Sequence, residues 1–308
     1  EMSASLVGSE MCIRDRSLII GFGSLILCPI IFILNDYSIG FTILYTILIF
    51  LVIIFLFCLL IVSLLPIVGN HFAKTYNPHD KKRWRFMVDI SRFSCFWLGI
   101  RIKIEGLDTI NPNKTLVFYS NHQSYIDPLI YYTVLHQFPH ATMYKESISK
   151  LQLASGMAKA LGGVSIDRSD DRSAMKSMIT IIKEVKSGVN FFIFPEGTRS
   201  RGIGMHHFKA GSFKIMHKTD ALLVMCAIDG SYRKRLSIPF VFTPVYIKIV
   251  EVMPSEICMH YTTQELASYL EKKVKKTIND IRHNHKTMKV NKRMLKKFQI
   301  QQQNEDVF

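Results

Sequence analysis

Asn121-His122-Gln123-Ser124-Tyr125-Ile126-Asp127 places an imidazole and a carboxylate five residues apart, with Pro128 immediately after. A residue before proline is pushed away from helical geometry, so Asp127 is expected outside a helix, at the end of a tight turn where it can meet His122. An imidazole held by a carboxylate is oriented and made more basic. It can then take a proton from an alcohol as that alcohol attacks a carbonyl, with no serine nucleophile. The same spacing also suits a plain structural hydrogen bond, and with 11 histidines in the chain the pair alone does not decide.

A second segment, Phe194-Pro195-Glu196-Gly197-Thr198-Arg199-Ser200-Arg201, has the residue types of an anion site. Gly197 lets backbone approach a ligand, Thr198 offers a hydroxyl, and Arg199 supplies a planar fork that fits phosphate. Chance would give the first six of these residues at on the order of one in 10⁸ positions. Arg168, after Gly162-Gly163-Val164-Ser165-Ile166-Asp167, offers another fork, although a single arginine is as compatible with a surface ion pair.

These loops need strands to position them. Ile100, Ile102 and Ile104 alternate with Arg101, Lys103 and Glu105, the pattern of a half-buried strand closed by Gly106. Thr115 to Ser120 reads as a second strand, leading directly into the His122 loop. Val164 to Ile166 is expected to lead into a helix with Met175, Met178, Ile179, Ile182 and Val185 on one face, closed by Gly188. Asn190 to Phe194 resumes a strand. Strand, helix and strand in that order predict parallel pairing, with both motif loops on one edge of a sheet. The fold class expected is α/β, with a mixed, largely parallel sheet flanked by helices.

Upstream, Ile39 to Leu65 is almost wholly apolar and uncharged, longer than the roughly 20 residues that cross a bilayer. Leu18 to Leu34 is shorter and broken by Pro29; a spanning helix, a re-entrant segment and a remnant all fit, and a transmembrane hairpin over residues 17–69 is the reading adopted. The link Asn35-Asp36-Tyr37-Ser38 is free of basic residues, whereas Lys74, Lys81, Lys82, Arg83 and Arg85 follow, so the downstream domain is expected on the cytoplasmic side. Residues 1–16 look foreign: Val7 to Asp15 resembles a translated transposase adaptor from a sequencing library, which would place the natural N-terminus elsewhere. The catalytic domain is expected over 70–260. A capping box, Thr262 with Glu265, opens a helix with Leu266, Leu270, Val274, Ile278 and Ile281 on one face, heading a basic segment over 261–308.

A net charge of +15 calls for an anionic partner, for which nucleic acid, a phospholipid surface and a phosphorylated substrate all qualify. Six cysteines without paired spacing predict neither a disulfide framework nor a zinc site.

The NHQSYID and FPEGTR segments stand 74 residues apart from His122 to Glu196. With GGVSIDR between them and Phe208-Lys209-Ala210-Gly211-Ser212-Phe213 after them, they resemble the glycerolipid acyltransferase family, in particular its 1-acylglycerol-3-phosphate acyltransferases. The resemblance covers roughly Trp84 to Pro254. It implies that His122 is the general base, that Asp127 holds it, and that Glu196, Gly197, Thr198, Arg199 and Arg168 form the acceptor site, with Lys145 close to the phosphate. It implies acyl-CoA or an acyl carrier protein thioester as co-substrate, lysophosphatidate as acceptor and phosphatidic acid as product, with no metal and no further cofactor. The partner is then a phospholipid membrane and not nucleic acid. Glycerol 3-phosphate or another lysophospholipid remains an alternative acceptor, and a non-catalytic membrane protein that binds anionic lipid is the alternative of another class. Where the family's fourth motif carries prolines, Ala221 to Ile228 has none, which bears on acyl-chain preference.

Overall fold

The structure is a computed structural model that describes residues 39–75, 80–146, 158–159, 161–167, 170–234 and 242–285. The leader over 1–16, the first arm of the expected hairpin, Arg168 and residues 286–308 lie outside the described residues.

Residues up to Val68 and those from Gly69 onward separate into two units. Helix α1 (Ile39–Thr75), 37 residues long, supplies the described residues of the first and continues past Val68. At about 1.5 Å per residue that is roughly 55 Å of helix. Its leucines, isoleucines and phenylalanines, such as Leu44, Leu51, Phe55 and Leu59, are largely exposed. Among the described residues no helix is long and apolar enough to cross a membrane, and the expected hairpin is not shown.

The second unit is built on a sheet that, among the described residues, has seven strands in the order β1-β7-β6-β2-β5-β3-β4. The strands are β1 (Ile100–Glu105), β2 (Leu116–Ser120), β3 (His140–Lys145), β4 (Val164–Ile166), β5 (Asn190–Ile193), β6 (Leu222–Asp229) and β7 (Thr243–Pro254). All neighbours pair in parallel except β6 with β7. A parallel sheet covered on both faces demands continuous apolar strands. Hence Leu116 to Tyr119 and Leu222 to Ile228 are buried without a break, unlike the alternating edge strand β1.

Successive residues of the central strands feed opposite cores. Val117, Tyr119, Phe191, Ile193, Leu223 and Met225 pack under helices α4 (Asp171–Lys186) and α6 (Thr263–Asn284). Leu116, Phe118, Phe192, Val224 and Cys226 pack with Ile130, Tyr131 and Val134 of α3 (Asp127–Val134). Helix α2 (Lys81–Trp97) adds Trp84, Met87 and Val88 against Tyr132, and the short α5 (Ser255–Cys258) follows β7.

Three expectations are modified. β4 and β5 are parallel but not adjacent, since β3 lies between them. The buried face of α4 is set by Ile181 and Val185, with Met178 and Ile182 partly buried, while Met175 and Ile179 are exposed. A period of 3.6 allows either stripe, and the sheet selects the one that packs. The capping box of α6 forms with both of its hydrogen bonds, but the helix does not head a separate segment. Leu266, Leu270, Val274 and Ile278 lie in the same core as Phe213 and Met225.

Candidate active site

Because β2, β3, β4, β5 and β6 run parallel, their carboxyl ends share one edge, where crevices of open α/β sheets form. His122 follows β2, Phe194 to Arg199 follow β5, and Asp229 ends β6.

His122 Nδ1 lies 2.8 Å from Asp127 Oδ2. The same oxygen accepts the backbone N–H groups of Gln123 at 2.6 Å and Ser124 at 2.8 Å. The carboxylate is fully buried, whereas the His122 side chain keeps 16 % exposure. The imidazole stacks on Phe194, with ring centroids 4.0 Å apart and planes 17° from parallel. With Nδ1 turned to Asp127 and one ring face covered, Nε2 is the nitrogen left to exchange a proton. Asp127 does not stand outside the helix as expected; it is the first residue of α3, with Pro128 in the opening turn. Proline is tolerated there because that N–H has no partner within the helix, and its fixed φ suits a helical start. The helix also brings the positive end of its dipole to the carboxylate.

Glu196 occupies a different place from the acceptor contact expected of it. It is 2 % exposed, and both oxygens turn inward: Oε1 accepts the N–H of His122 at 2.6 Å and Oε2 that of His206 at 2.7 Å. Burial pushes its carboxyl up to about 8, against the pull of those two N–H donors; Asp127 and Glu271 add to the rise. Glu196 is thus a clamp between loops. Ser200 N–H donates to His122 O at 2.8 Å, and Arg201 N–H to Gln123 O at 3.2 Å. The two motif loops are zipped backbone to backbone.

That path turns at Gly197, which has φ +72°, and at Arg201, the one non-glycine residue with positive φ among the described residues. Thr198 is exposed at the turn. The Arg199 guanidinium carbon stands 3.2 Å from the centroid of the exposed Tyr125 ring, and Nη1 is buried without a hydrogen-bond partner. Burial lowers the guanidinium from its ordinary value, opposed by Tyr125. A desolvated cation with an unmade donor bond is suited to an anion. Lys145 is exposed at the carboxyl end of β3, and where Arg168 stands relative to these groups lies outside the described residues.

An apolar cavity of about 510 Å³ adjoins the turn, lined among others by Met143, Ile166, Met178, Phe194 and Gly197, with Lys209 and Lys214 exposed on its wall. Phe194 is shared between this cavity and the His122 stack.

Several polar residues of the site went unnoticed in the sequence. Asn121 is fully buried and bonds both ways with Ile228: its Nδ2 donates to Ile228 O at 3.0 Å, and Ile228 N–H donates to its Oδ1 at 2.8 Å. Gln123 Oε1 accepts Gly230 N–H at 3.0 Å, and its Nε2 donates to Asp229 Oδ1 at 3.2 Å. An asparagine and a glutamine flanking the histidine at a strand end were the available signal.

Residues 101–229 match the family model described as Acyltransferase. The chain is 28 % identical over 168 residues to the chloroplastic 1-acyl-sn-glycerol-3-phosphate acyltransferase of Arabidopsis thaliana, covering 54 % of this chain and 47 % of that one. It is 34 % identical over 125 residues to the 1-acyl-sn-glycerol-3-phosphate acyltransferase of Borreliella burgdorferi, covering 40 % and 49 %. The chain thus spans about half the length of these relatives. The crystal structure of the 1-acyl-sn-glycerophosphate acyltransferase from Thermotoga maritima superposes with a TM-score of 0.59 at 25 % identity, over 73 % of this chain and 93 % of that one. Family match, relatives and fold together liken residues 101–229 to the acyltransferase family, and among its members to 1-acylglycerol-3-phosphate acyltransferases.

Proposed function

We propose that this protein transfers a fatty acyl group from a thioester, acyl-CoA or acyl carrier protein, to the free hydroxyl of 1-acylglycerol 3-phosphate, giving phosphatidic acid. The observation that carries the reading is the buried Asp127 carboxylate at 2.8 Å from His122 Nδ1, with the ring stacked on Phe194, which also lines the apolar cavity, and an unpartnered arginine donor in the loop that follows Phe194. His122 Nε2 takes the acceptor's hydroxyl proton as its oxygen attacks the thioester carbonyl. Asp127 stabilises the imidazolium. The C–S bond then breaks, and the leaving thiolate receives the proton from His122, so the base is regenerated and no metal or redox group is needed to balance the step.

Arg199 holds the acceptor phosphate, assisted by Arg168 and Lys145, while Gly197 and Thr198 shape the turn. The cavity, within the usual size of ligand pockets, takes the acyl chain. Helix α1 anchors the enzyme in a phospholipid membrane where acceptor and product reside, and the basic residues after it favour the cytoplasmic side. No nucleic acid is involved in this reading.

The test is an assay of the full chain in detergent micelles with acyl-CoA and acyl carrier protein thioesters against lysophosphatidate, glycerol 3-phosphate and zwitterionic lysolipids. Turnover confined to zwitterionic acceptors, or absent throughout, would sink it. Arg199→Lys keeps the charge but loses the fork stacked on Tyr125. Its KM for lysophosphatidate is expected to rise about 10- to 100-fold, the equivalent of the roughly 1.5–3 kcal/mol of a hydrogen bond to a charged group. The thioester KM should stay near wild type; an effect on the thioester alone would remove Arg199 from the acceptor site. Met178→Trp, which fills the cavity, is expected to depress turnover of long-chain more than short-chain thioesters, read as a ratio of kcat/KM values.

A further inference from the structure

Asp229 is fully buried and loaded on one side only. Its Oδ1 accepts Arg282 Nε at 2.9 Å, Arg282 Nη2 at 2.6 Å and Gln123 Nε2 at 3.2 Å, while Oδ2 is buried without a partner. Arg282 sits in the last turn of α6, is 8 % exposed, and its Nη2 also donates to Ile203 O at 2.8 Å. One guanidinium therefore reaches two places. Through Asp229 and Gln123 it meets the residue after His122, whose own N–H holds Asp127 Oδ2. Through Ile203 it meets the loop that carries Arg199. Burying a carboxylate and a guanidinium is expensive, and a well-packed apolar pair of similar size often serves stability as well.

We propose that Arg282 and Asp229 are positioning residues for the reaction: the last turn of α6 sets the His122–Asp127 pair and the Arg199 loop in register with each other. Arg282 lies beyond the segment 101–229 that matches the acyltransferase family, so the pair joins a terminal helix to the catalytic loops. The proposal rests on the acyltransferase reading above and extends the site to that helix.

The experiment uses the full chain in micelles with Arg282→Lys, which can hold Asp229 but cannot fork to Ile203 as well, and Asp229→Asn/Arg282→Met, which leaves no buried unpaired charge if Arg282→Lys does not fold. Turnover is measured per folded molecule, with the folded fraction taken from near-ultraviolet circular dichroism. Amide hydrogen exchange is followed in residues 119–127 and 196–204. Expected is a loss of kcat of about 10- to 100-fold, the size of effect that slight misplacement of reacting groups produces. The thioester KM should stay within about twofold and exchange should quicken in both loops together, as a positioning role requires. Wild-type kcat per folded molecule in either variant, or losses that track the folded fraction alone, would overturn the proposal. The two readings fail separately: a wild-type chain inactive on every thioester and acceptor ends the acyltransferase assignment, while the exchange arm still reports whether Arg282 holds both loops.

Discussion

Replacing His122 by alanine is expected to lower kcat by roughly 10² to 10⁴, the range for loss of a general base, while the thermal midpoint stays near wild type. The side chain stands at the surface of the loop with 16 % exposure, so truncation opens space to solvent and makes no sealed cavity. The fold-bearing bonds of this residue are those of its backbone, to Glu196 and Ser200, and alanine keeps them. Asp127→Asn keeps an oxygen for the N–H groups of Gln123 and Ser124, yet offers His122 no charge to stabilise the imidazolium. It is expected to lie between His122→Ala and wild type in turnover. Near-normal turnover of His122→Ala in the thioester assay would end the proposed mechanism.

The second large effect is expected at Glu196, where Glu196→Gln, isosteric as it is, should damage both stability and turnover. Each carboxyl oxygen accepts a backbone N–H, from His122 and from His206. Glutamine has one oxygen, so its amide N–H must face one of these donors. A buried donor left without an acceptor costs roughly 1–3 kcal/mol, which for a domain of this size lowers Tm by several degrees. If the lost partner is His122 N–H, turnover falls as well, because that bond fixes the backbone under the base. The pH dependence has a definite sign. With its carboxyl held up to about 8 against an ordinary 4.5, folded Glu196 keeps a proton that the unfolded chain has released across this window. Its contribution to stability is therefore fully present below about 4.5 and is lost as pH rises towards about 8. Denaturant midpoints measured across that range should decline for wild type and flatten in Glu196→Gln. A flat wild-type profile, or a variant as stable and active as wild type, would remove Glu196 from the clamp.

These two residues show where sequence was legible. The spacing of His122 and Asp127 was readable because the interaction is local, five residues on one turn; even there, the helical start at Asp127 was missed because proline's bias against helix before it yielded to its fitness for a first turn. For Glu196, motif membership says that the residue matters and not which way it points, and here both oxygens face backbone donors. Asn121, Gln123, Asp229 and Arg282 were overlooked for a different reason. Their bonds join residues 107, 106 and 53 apart, and no local pattern encodes such pairings. The fold was legible in proportion to its regularity. The order strand, helix, strand was enough for parallel pairing, and the capping box for the start of α6. Which stripe of α4 is buried, and that α6 belongs to the core, depended on what the sheet offered them.

The zipping of the two motif loops bears on when the site is completed. His122 N–H meets its acceptor 74 residues later, and Gln123 depends on Asp229, itself held from the final turn of α6. Contacts of such sequence separation are slow to form, because the loop between them must be closed before the contact rewards it. A nascent chain that has folded α3 and its turn owns the histidine and the aspartate but has neither their backbone clamp nor the arginine loop. On the proposed acyltransferase reading, a growing chain is therefore expected to turn over thioester only after α6 has docked.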